Sequence, residues 1–234
     1  RRRYKVEHPY LILTSVFGIF GMGEWAGAHS HVTYMWLCMV ILIFFGWLAG
    51  KSISMVPKTA QNVFETLISG LEEFMVTITG DEGRKSYPIV LTIFLFVLLG
   101  NLMGLVPGFF PPTANINTTL ALALIAVSWS HVIGIQRHGF KYIKHFLGPV
   151  PAMIPLFLPI ELIGHSARVL SLTFRLFGNM MGHELVVGIL LGLAGMFLAP
   201  LPIMALGAFV ALVQAFVFFL LSTMYIAGAI EEAH

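Results

Sequence analysis

The chain has 234 residues, of which 58% are hydrophobic and only 10% are charged, and its formal net charge at pH 7 is +2. Because a soluble domain usually carries about 25% charged residues, this composition excludes an ordinary soluble domain and predicts an all-α, polytopic membrane protein. The single cysteine, Cys38, also excludes a disulfide within the chain.

Residues 1–31 form an N-terminal segment that we expect on the outer side of the membrane. It begins with the basic stretch RRRYK, followed by an apolar run and a few small residues, an order that imitates a signal peptide. His8 and Glu24 interrupt that pattern. Cleavage of the segment and a trimmed or foreign start at residues 1–6 are both open alternatives.

The next part, residues 32–148, contains three stretches of the roughly 20 apolar residues that a spanning helix needs, at 32–50, 87–106 and 118–135. No Asp, Glu, Lys or Arg occurs between Lys85 and Arg137, so the second and third stretches and their connection carry no charge. Three prolines in that connection, residues 107–117, predict a turn. Residues 60–79 combine glutamates with apolar positions, which indicates an amphipathic helix at the membrane interface.

Basic loops predict the topology of these spans. The loops 51–86 and 136–148 are rich in lysine and arginine, so both are expected in the cytoplasm. The proline turn and the N-terminus then face outward and the C-terminus faces the cytoplasm. The basic residues 1–5 conflict with this assignment, but the internal loops are the stronger signal.

The last part, residues 149–234, contains two apolar runs that are too long for an upright span. The runs at 155–195 and 202–230 would extend about 60 Å and about 43 Å at the helical rise of about 1.5 Å per residue, against a hydrocarbon core of about 30 Å. Either the first run breaks into two helices, or both helices are steeply tilted. We favour a tilted hairpin that turns at 199–202, which gives about five membrane helices in all.

Arg175 is the most informative residue, because it lies inside the first of these runs. A guanidinium stays charged at physiological pH, and its placement at mid-membrane costs about 2.5–3.5 kcal/mol even on insertion scales. An intramembrane ionisable residue therefore indicates function by default. The alternative interpretation is a structural ion pair with Glu161 or Glu184.

Other polar side chains share the helical face of Arg175. At about 100° per residue, an arc of about 80° contains six polar residues: Glu161, His165, Arg168, Arg175, Asn179 and His183. Glu184 points away from this stripe. On the second run the strongest polar group is Gln214, and alanines at 205, 208, 211 and 215 would let the two helices approach closely. A hydrated route for an ion is the functional interpretation, whereas His165 and Arg168 are better explained as interfacial anchors.

The residues in this region resemble a known family. The segment SLTFRLFGNM at 171–180, followed by Glu184, is similar to the signature of subunit a of F-type ATP synthases. QAFVF at 214–218 with Tyr225, NLMGLVP at 101–107 and PTANINTTL at 112–120 resemble further parts of that family. The resemblance extends over nearly the whole chain from about residue 8.

The resemblance implies a membrane stator that passes protons, or in some relatives sodium, to and from a rotating ring of c subunits. It maps the essential arginine onto Arg175, outer-channel polar residues onto Asn179, Glu184 and Gln214, and an inner-channel acid onto Glu161. Relatives often carry a histidine where this chain has Gly207, and a small residue where it has His183. We interpret this as an exchange across the helix pair, so that residues 183 and 207 face each other and His183 joins the route.

The same resemblance implies the partners. They are the c-ring, b-type peripheral stalk subunits, membrane lipid and the remaining F1Fo complex in a bacterial inner membrane. No nucleotide-binding motif is present, so ATP chemistry is expected on partner subunits, and no cofactor, metal centre or nucleic-acid partner is predicted. Gly104 and Asn115 replace acids of some relatives. The rival interpretations are a self-contained transporter, in which Arg175 binds an anionic substrate, and a purely structural membrane subunit.

Overall fold

The computed structural model of the chain describes residues 11–19, 21–51, 59–106, 108–139, 142, 154–194 and 200–231. The helices within these ranges, numbered in chain order, are α1 (Ile12–Ile19), α2 (Gly23–Ala28), α3 (Ser30–Lys51), α4 (Thr59–Thr79), α5 (Tyr87–Met103), α6 (Ile116–His138), α7 (Ile154–Ala194) and α8 (Pro200–Glu231). Short 3-10 helices precede α5 at Asp81–Ser86 and α6 at Pro112–Ala114. The predicted all-α architecture is confirmed.

Four described helical segments are long and apolar enough to cross a membrane, namely Ser30–Lys51, Asp81–Met103, Ile116–His138 and Pro202–Glu231. They include the three spans predicted in the first half of the chain and the second arm of the predicted hairpin. The chain is therefore a polytopic membrane protein. The predicted amphipathic segment is also helical, as α4, and its exposed apolar side chains include Phe64 and Leu67.

Two predicted boundaries near the proline turn are wrong. Helix α5 ends at Met103 and not at residue 106, because the chain turns at Gly104, where a Cβ atom would stand only 3.0 Å from the ring of Pro111. The turn also ends earlier than predicted, since α6 begins at Ile116. Asn115 caps that helix by accepting a hydrogen bond from the backbone N–H of Asn117 at 2.9 Å.

The long first arm of the hairpin is a single helix. Helix α7 continues for 41 residues with Pro159 inside it, so it does not break into two helices, and α8 has 32 residues. Within the described ranges the two arms pack against each other. The predicted turn at 199–202 falls partly outside the described residues, and its last three residues form the start of α8. The steep tilt of both helices stays a prediction.

Contacts between distant segments define two ends of the bundle. At one end, the N–H of Ile12 donates to the carbonyl of Gly108 at 3.1 Å, and the Tyr34 hydroxyl donates to the same carbonyl at 2.8 Å. At the other end, Arg137 forms an ion pair with Glu82, and His138 Nε2 lies 3.1 Å from the Ile230 carbonyl. We call these the Gly108 end and the His138 end.

The centre of the bundle is formed by α5, α6, α7 and α8. Leu172 and Leu176 of α7 and Phe218 and Phe219 of α8 are almost fully buried. The alanines of α8 differ in burial, since Ala211 and Ala215 are buried whereas Ala205 is exposed. Close approach of the two arms through these alanines stays a prediction.

Candidate ion-translocation site

Arg175 lies on an open face of α7. Its side chain is exposed, and one guanidinium nitrogen, Nη2, is 3.5 Å from the Ser171 hydroxyl one turn earlier. Within the described part of the chain it forms an ion pair with neither Glu161 nor Glu184. The structural ion pair that the sequence left open is therefore wrong, and the charge remains available to a group outside this chain.

Two glycines leave open space on the surface near Arg175. A Cβ atom added at Gly178 or Gly182 would meet nothing within 4 Å, so both glycines border open space. Phe174 is 55% exposed beside them. A partner helix could therefore approach the backbone of α7 closely, with the guanidinium at the centre of the contact.

Asn179 and Gln214 join the two arms of the hairpin. Asn179 Nδ2 donates a hydrogen bond to Gln214 Oε1 at 2.7 Å. Gln214 is only 5% exposed, whereas Asn179 borders the open face that carries Arg175. Together the two amides form a polar connection from the exposed face into the α7–α8 contact.

His183 and Gly207 face each other, as the sequence predicted. A Cβ atom added at Gly207 would stand 2.0 Å from His183 Nε2, so only glycine fits beside the imidazole. The same ring nitrogen lies 3.3 Å from the Ile203 carbonyl. The imidazole thus fills the space that any larger residue at position 207 would need.

Glu184 is not in contact with this group. It is half-buried on the side of α7 opposite Arg175, since nine residues at about 100° each place it about 180° away. The structure therefore pairs Asn179 with Gln214 and His183 with Gly207 between the two arms. Glu184 lies on another face of α7.

Glu161 belongs to a second polar group nearer the His138 end. Its carboxylate Oε1 lies 3.1 Å from His165 Nε2, and Arg168 Nη1 lies 3.4 Å from the other nitrogen of the same ring. The Arg168 guanidinium also stacks over the Tyr225 ring at 5.6 Å. His165 and Arg168 thus belong to a half-buried cluster, and their role as interfacial anchors stays a prediction.

Two residues of this second group were missed by sequence analysis. The rings of His131 on α6 and His165 on α7 are 4.5 Å apart in an edge-to-face arrangement, and His131 Nδ1 lies 2.9 Å from the Tyr142 hydroxyl. A usable signal existed, because His131 is an ionisable residue within an otherwise uncharged span. We call Glu161, His165, His131 and Tyr142 the imidazole cluster.

Arg175 separates the two polar groups along α7. From His165 to Arg175 the helix rises about 15 Å, and from Arg175 to His183 about 12 Å. The first group lies toward the His138 end. The second lies toward the Gly108 end, where Asn101 Nδ2 donates to the Ala211 carbonyl at 3.4 Å, one turn before Gln214.

Comparison with known proteins identifies relatives of the whole chain. The family model described as ATP synthase A chain matches residues 32–227. The ATP synthase subunit a of Desulfosudis oleivorans is 60% identical over 229 residues, which cover 98% of this chain and 100% of that protein. That of Syntrophobacter fumaroxidans is 54% identical, with the same two coverages, 98% and 100%. Subunit a 1 of Pelobacter propionicus is 53% identical over 97% of this chain and 99% of that protein.

Proposed function

The chain belongs to the family of ATP synthase A chains, and from that premise we propose that it is the proton-translocating stator of the membrane sector. It passes protons to and from a ring of c subunits through two half-channels that meet at Arg175. It is not itself the enzyme, because ATP chemistry takes place on partner subunits. The whole F1Fo complex includes b-type peripheral stalk subunits.

The observation that carries this proposal is the unpaired, exposed charge of Arg175. A buried or membrane-embedded cation requires a compensating partner, and the described residues of this chain do not supply a carboxylate. The open surface beside Gly178 and Gly182 admits another helix. A carboxylate on a c subunit that passes this surface is the partner that satisfies both charge and shape.

The fixed cation explains one half of the transfer. A carboxylic acid that reaches Arg175 is favoured in its ionised form, because an opposite charge within a few ångströms stabilises the anion. The acid therefore releases its proton toward one side of the membrane. Glu161, at the first turns of α7, is the acid of this chain nearest the release route.

The polar group beyond Arg175 explains the other half. The ionised carboxylate resists transfer into hydrocarbon, so it must take up a proton before the ring can carry it into lipid. Asn179, Gln214 and His183 supply hydrogen-bonding groups on this side of Arg175, and Glu184 supplies a titratable carboxyl on the opposite face of the helix. Arg175 also repels a proton that would cross directly between the two routes.

The sidedness of the proposal rests on the distribution of basic residues. The His138 end carries Arg84, Lys85 and Arg137, so this end faces the cytoplasm of a bacterial inner membrane. The C-terminal helix α8 ends there, whereas Ile12 and Gly108 lie at the outer end. Protons entering for ATP synthesis therefore meet the 179–214 contact first and leave past Glu161.

Purification tests the assignment to a rotary complex. Detergent extraction of the tagged chain from native membranes should co-purify a c-ring and peripheral stalk subunits. Recovery as a monomer or a homodimer, with substrate binding at Arg175, would instead favour a self-contained transporter and end the proposal.

Replacing Glu184 by glutamine should slow passive proton conduction through membranes stripped of the soluble sector. Glutamine keeps the size and polarity of the side chain but cannot carry a proton. A loss of about tenfold is expected, which is less than the roughly 100-fold or more that a positioned acid or base contributes to catalysis. The matched control is Glu73→Gln, an exposed carboxylate on α4. Equal conduction by Glu184→Gln and the native complex would remove this residue from the path.

A further inference from the structure

The imidazole cluster links four titratable side chains across two helices. Tyr142 is joined to His131 at 2.9 Å, His131 meets His165 at 4.5 Å between ring centroids, and His165 is joined to Glu161 at 3.1 Å. The side chains of His165 and Glu161 are 12% and 31% exposed. The cluster therefore leads from a partly exposed carboxylate into the contact between α6 and α7.

Both ring nitrogens of His165 contact charged side chains. A guanidinium can only donate hydrogen bonds, so the 3.4 Å contact directs an Arg168 N–H toward Nδ1 of His165. In the tautomer that this contact favours, Nε2 carries the proton and donates to the Glu161 carboxylate at 3.1 Å. His165 thus lies between a cation and an anion, with one ring nitrogen toward each.

Charged and aromatic side chains lie beside the histidine pair. Helix α7 contributes Glu161 and Arg168, which have opposite signs, and the Arg168 guanidinium lies over the Tyr225 ring of α8. Two protonated imidazoles in contact would repel each other, so a relay through this pair carries one proton at a time.

We propose that His131 and His165 exchange protons with Glu161 and form part of the inner proton route. This inference rests on the proposed function and deepens it by naming residues of the inner route. In one transfer, His165 gives its Nε2 proton to the Glu161 carboxylate and receives a proton at Nδ1 from protonated His131. One proton leaves His131 and one arrives on Glu161. The 3.4 Å contact between Arg168 and His165 Nδ1 must break during this step, so that Nδ1 can accept the proton. The Tyr142 hydroxyl orients the His131 ring.

Glutamine substitutions separate a relay from a structural contact. His131→Gln and His165→Gln keep hydrogen-bonding groups for Tyr142 and Glu161 but cannot be protonated. The assay is ATP-driven acidification of inverted membrane vesicles that contain the complete complex, whose cytoplasmic side faces the bath. Each variant should pump on the order of tenfold more slowly at neutral bath pH, with a changed dependence on bath pH and with recovery on addition of free imidazole to the bath.

The matched control is His138→Gln on α6, because this ring contacts only the end of α8 through the Ile230 carbonyl among the bonds described for it. It should pump at the native rate and show no response to imidazole. Co-purification of the c-ring and peripheral stalk subunits with each variant reports assembly. If His165→Gln does not assemble, His131→Gln decides the question alone, since it leaves the Glu161–His165–Arg168 contacts in place.

The outcomes distinguish the relay from the function on which it rests. Native pumping by His131→Gln and His165→Gln, or a loss that free imidazole does not restore, overturns the relay. If Arg175→Ala is inactive in the same vesicles, the proposed function survives that result. If Arg175→Ala also pumps at the native rate, the proposed function fails and the relay fails with it.

Discussion

Replacement of Arg175 by alanine should abolish ATP-driven proton pumping while the complex still assembles. The substitution removes the exposed charge on α7 that favours the ionised form of a passing carboxylic acid. It also removes the barrier that keeps a proton from crossing directly between the two routes. Pumping should fall below detection in membrane vesicles, and the stripped membrane sector should leak protons.

Assembly should survive because Arg175 supports little of the fold. Its side chain is exposed, and its one described bond is the 3.5 Å contact with Ser171 on the same helix. Alanine therefore leaves no buried charge or hydrogen-bonding group without a partner, which is the usual origin of large losses in stability. The matched control is Arg84→Ala, because Arg84 is 60% exposed and pairs with Glu72 of α4.

Coupled pumping by the assembled Arg175→Ala complex would contradict the proposed mechanism. Arg175→Lys is the finer probe, since it keeps the charge but loses the planar fork of donors. If the charge alone drives release of the proton, the lysine variant should retain part of the pumping. If bidentate contact with the carboxylate is required, it should behave as the alanine variant does.

Most of the fold could be predicted because it depends on local composition. Long apolar runs free of charge correspond to α3, α5, α6 and α8, and the turn between α5 and α6 follows from its prolines. The ends of the helices were harder to predict. Helix α5 stops at Met103 because Gly104 packs against Pro111, a contact between residues on either side of the turn that hydropathy does not encode.

The site could be predicted only in part, for a similar reason. Periodicity along one helix placed Glu161, Arg175 and Asn179 on a common face, because that arrangement depends on α7 alone. Periodicity could not show which neighbouring helix each residue of that face contacts. His165 contacts His131 on α6. This pairing depends on how the two helices cross, which the periodicity of either helix alone does not reveal.

The contact between His183 and Gly207 permits a second decisive test. Gly207→His alone should reduce pumping by more than about tenfold, because its Cβ atom would stand 2.0 Å from His183 Nε2. Either the imidazole of His183 leaves the Ile203 carbonyl or the two helices separate, and overpacking of this kind costs about 1–3 kcal/mol. The measurements are ATP-driven pumping and the thermal stability of the purified complex.

The double variant His183→Gly with Gly207→His should recover most of the native activity. It returns one imidazole to the space between α7 and α8, now attached to the opposite helix, and it removes the clash. The single variant His183→Gly should be impaired for a different reason, since it leaves the space empty. If each single variant is impaired and the double variant is not, residues 183 and 207 are directly coupled. The interaction energy between residues in contact is on the order of 0.5–3 kcal/mol.

Gly188→Ala is the matched control for the exchange, because a Cβ atom there meets nothing within 4 Å and the residue lies on a face of α7 well away from Arg175. It should leave pumping unchanged. If the double variant is no better than the worse of its two single variants, the imidazole is needed on α7 itself and not merely between the helices. Recovery would show instead that the route requires a titratable ring at this position in space, whichever helix carries it.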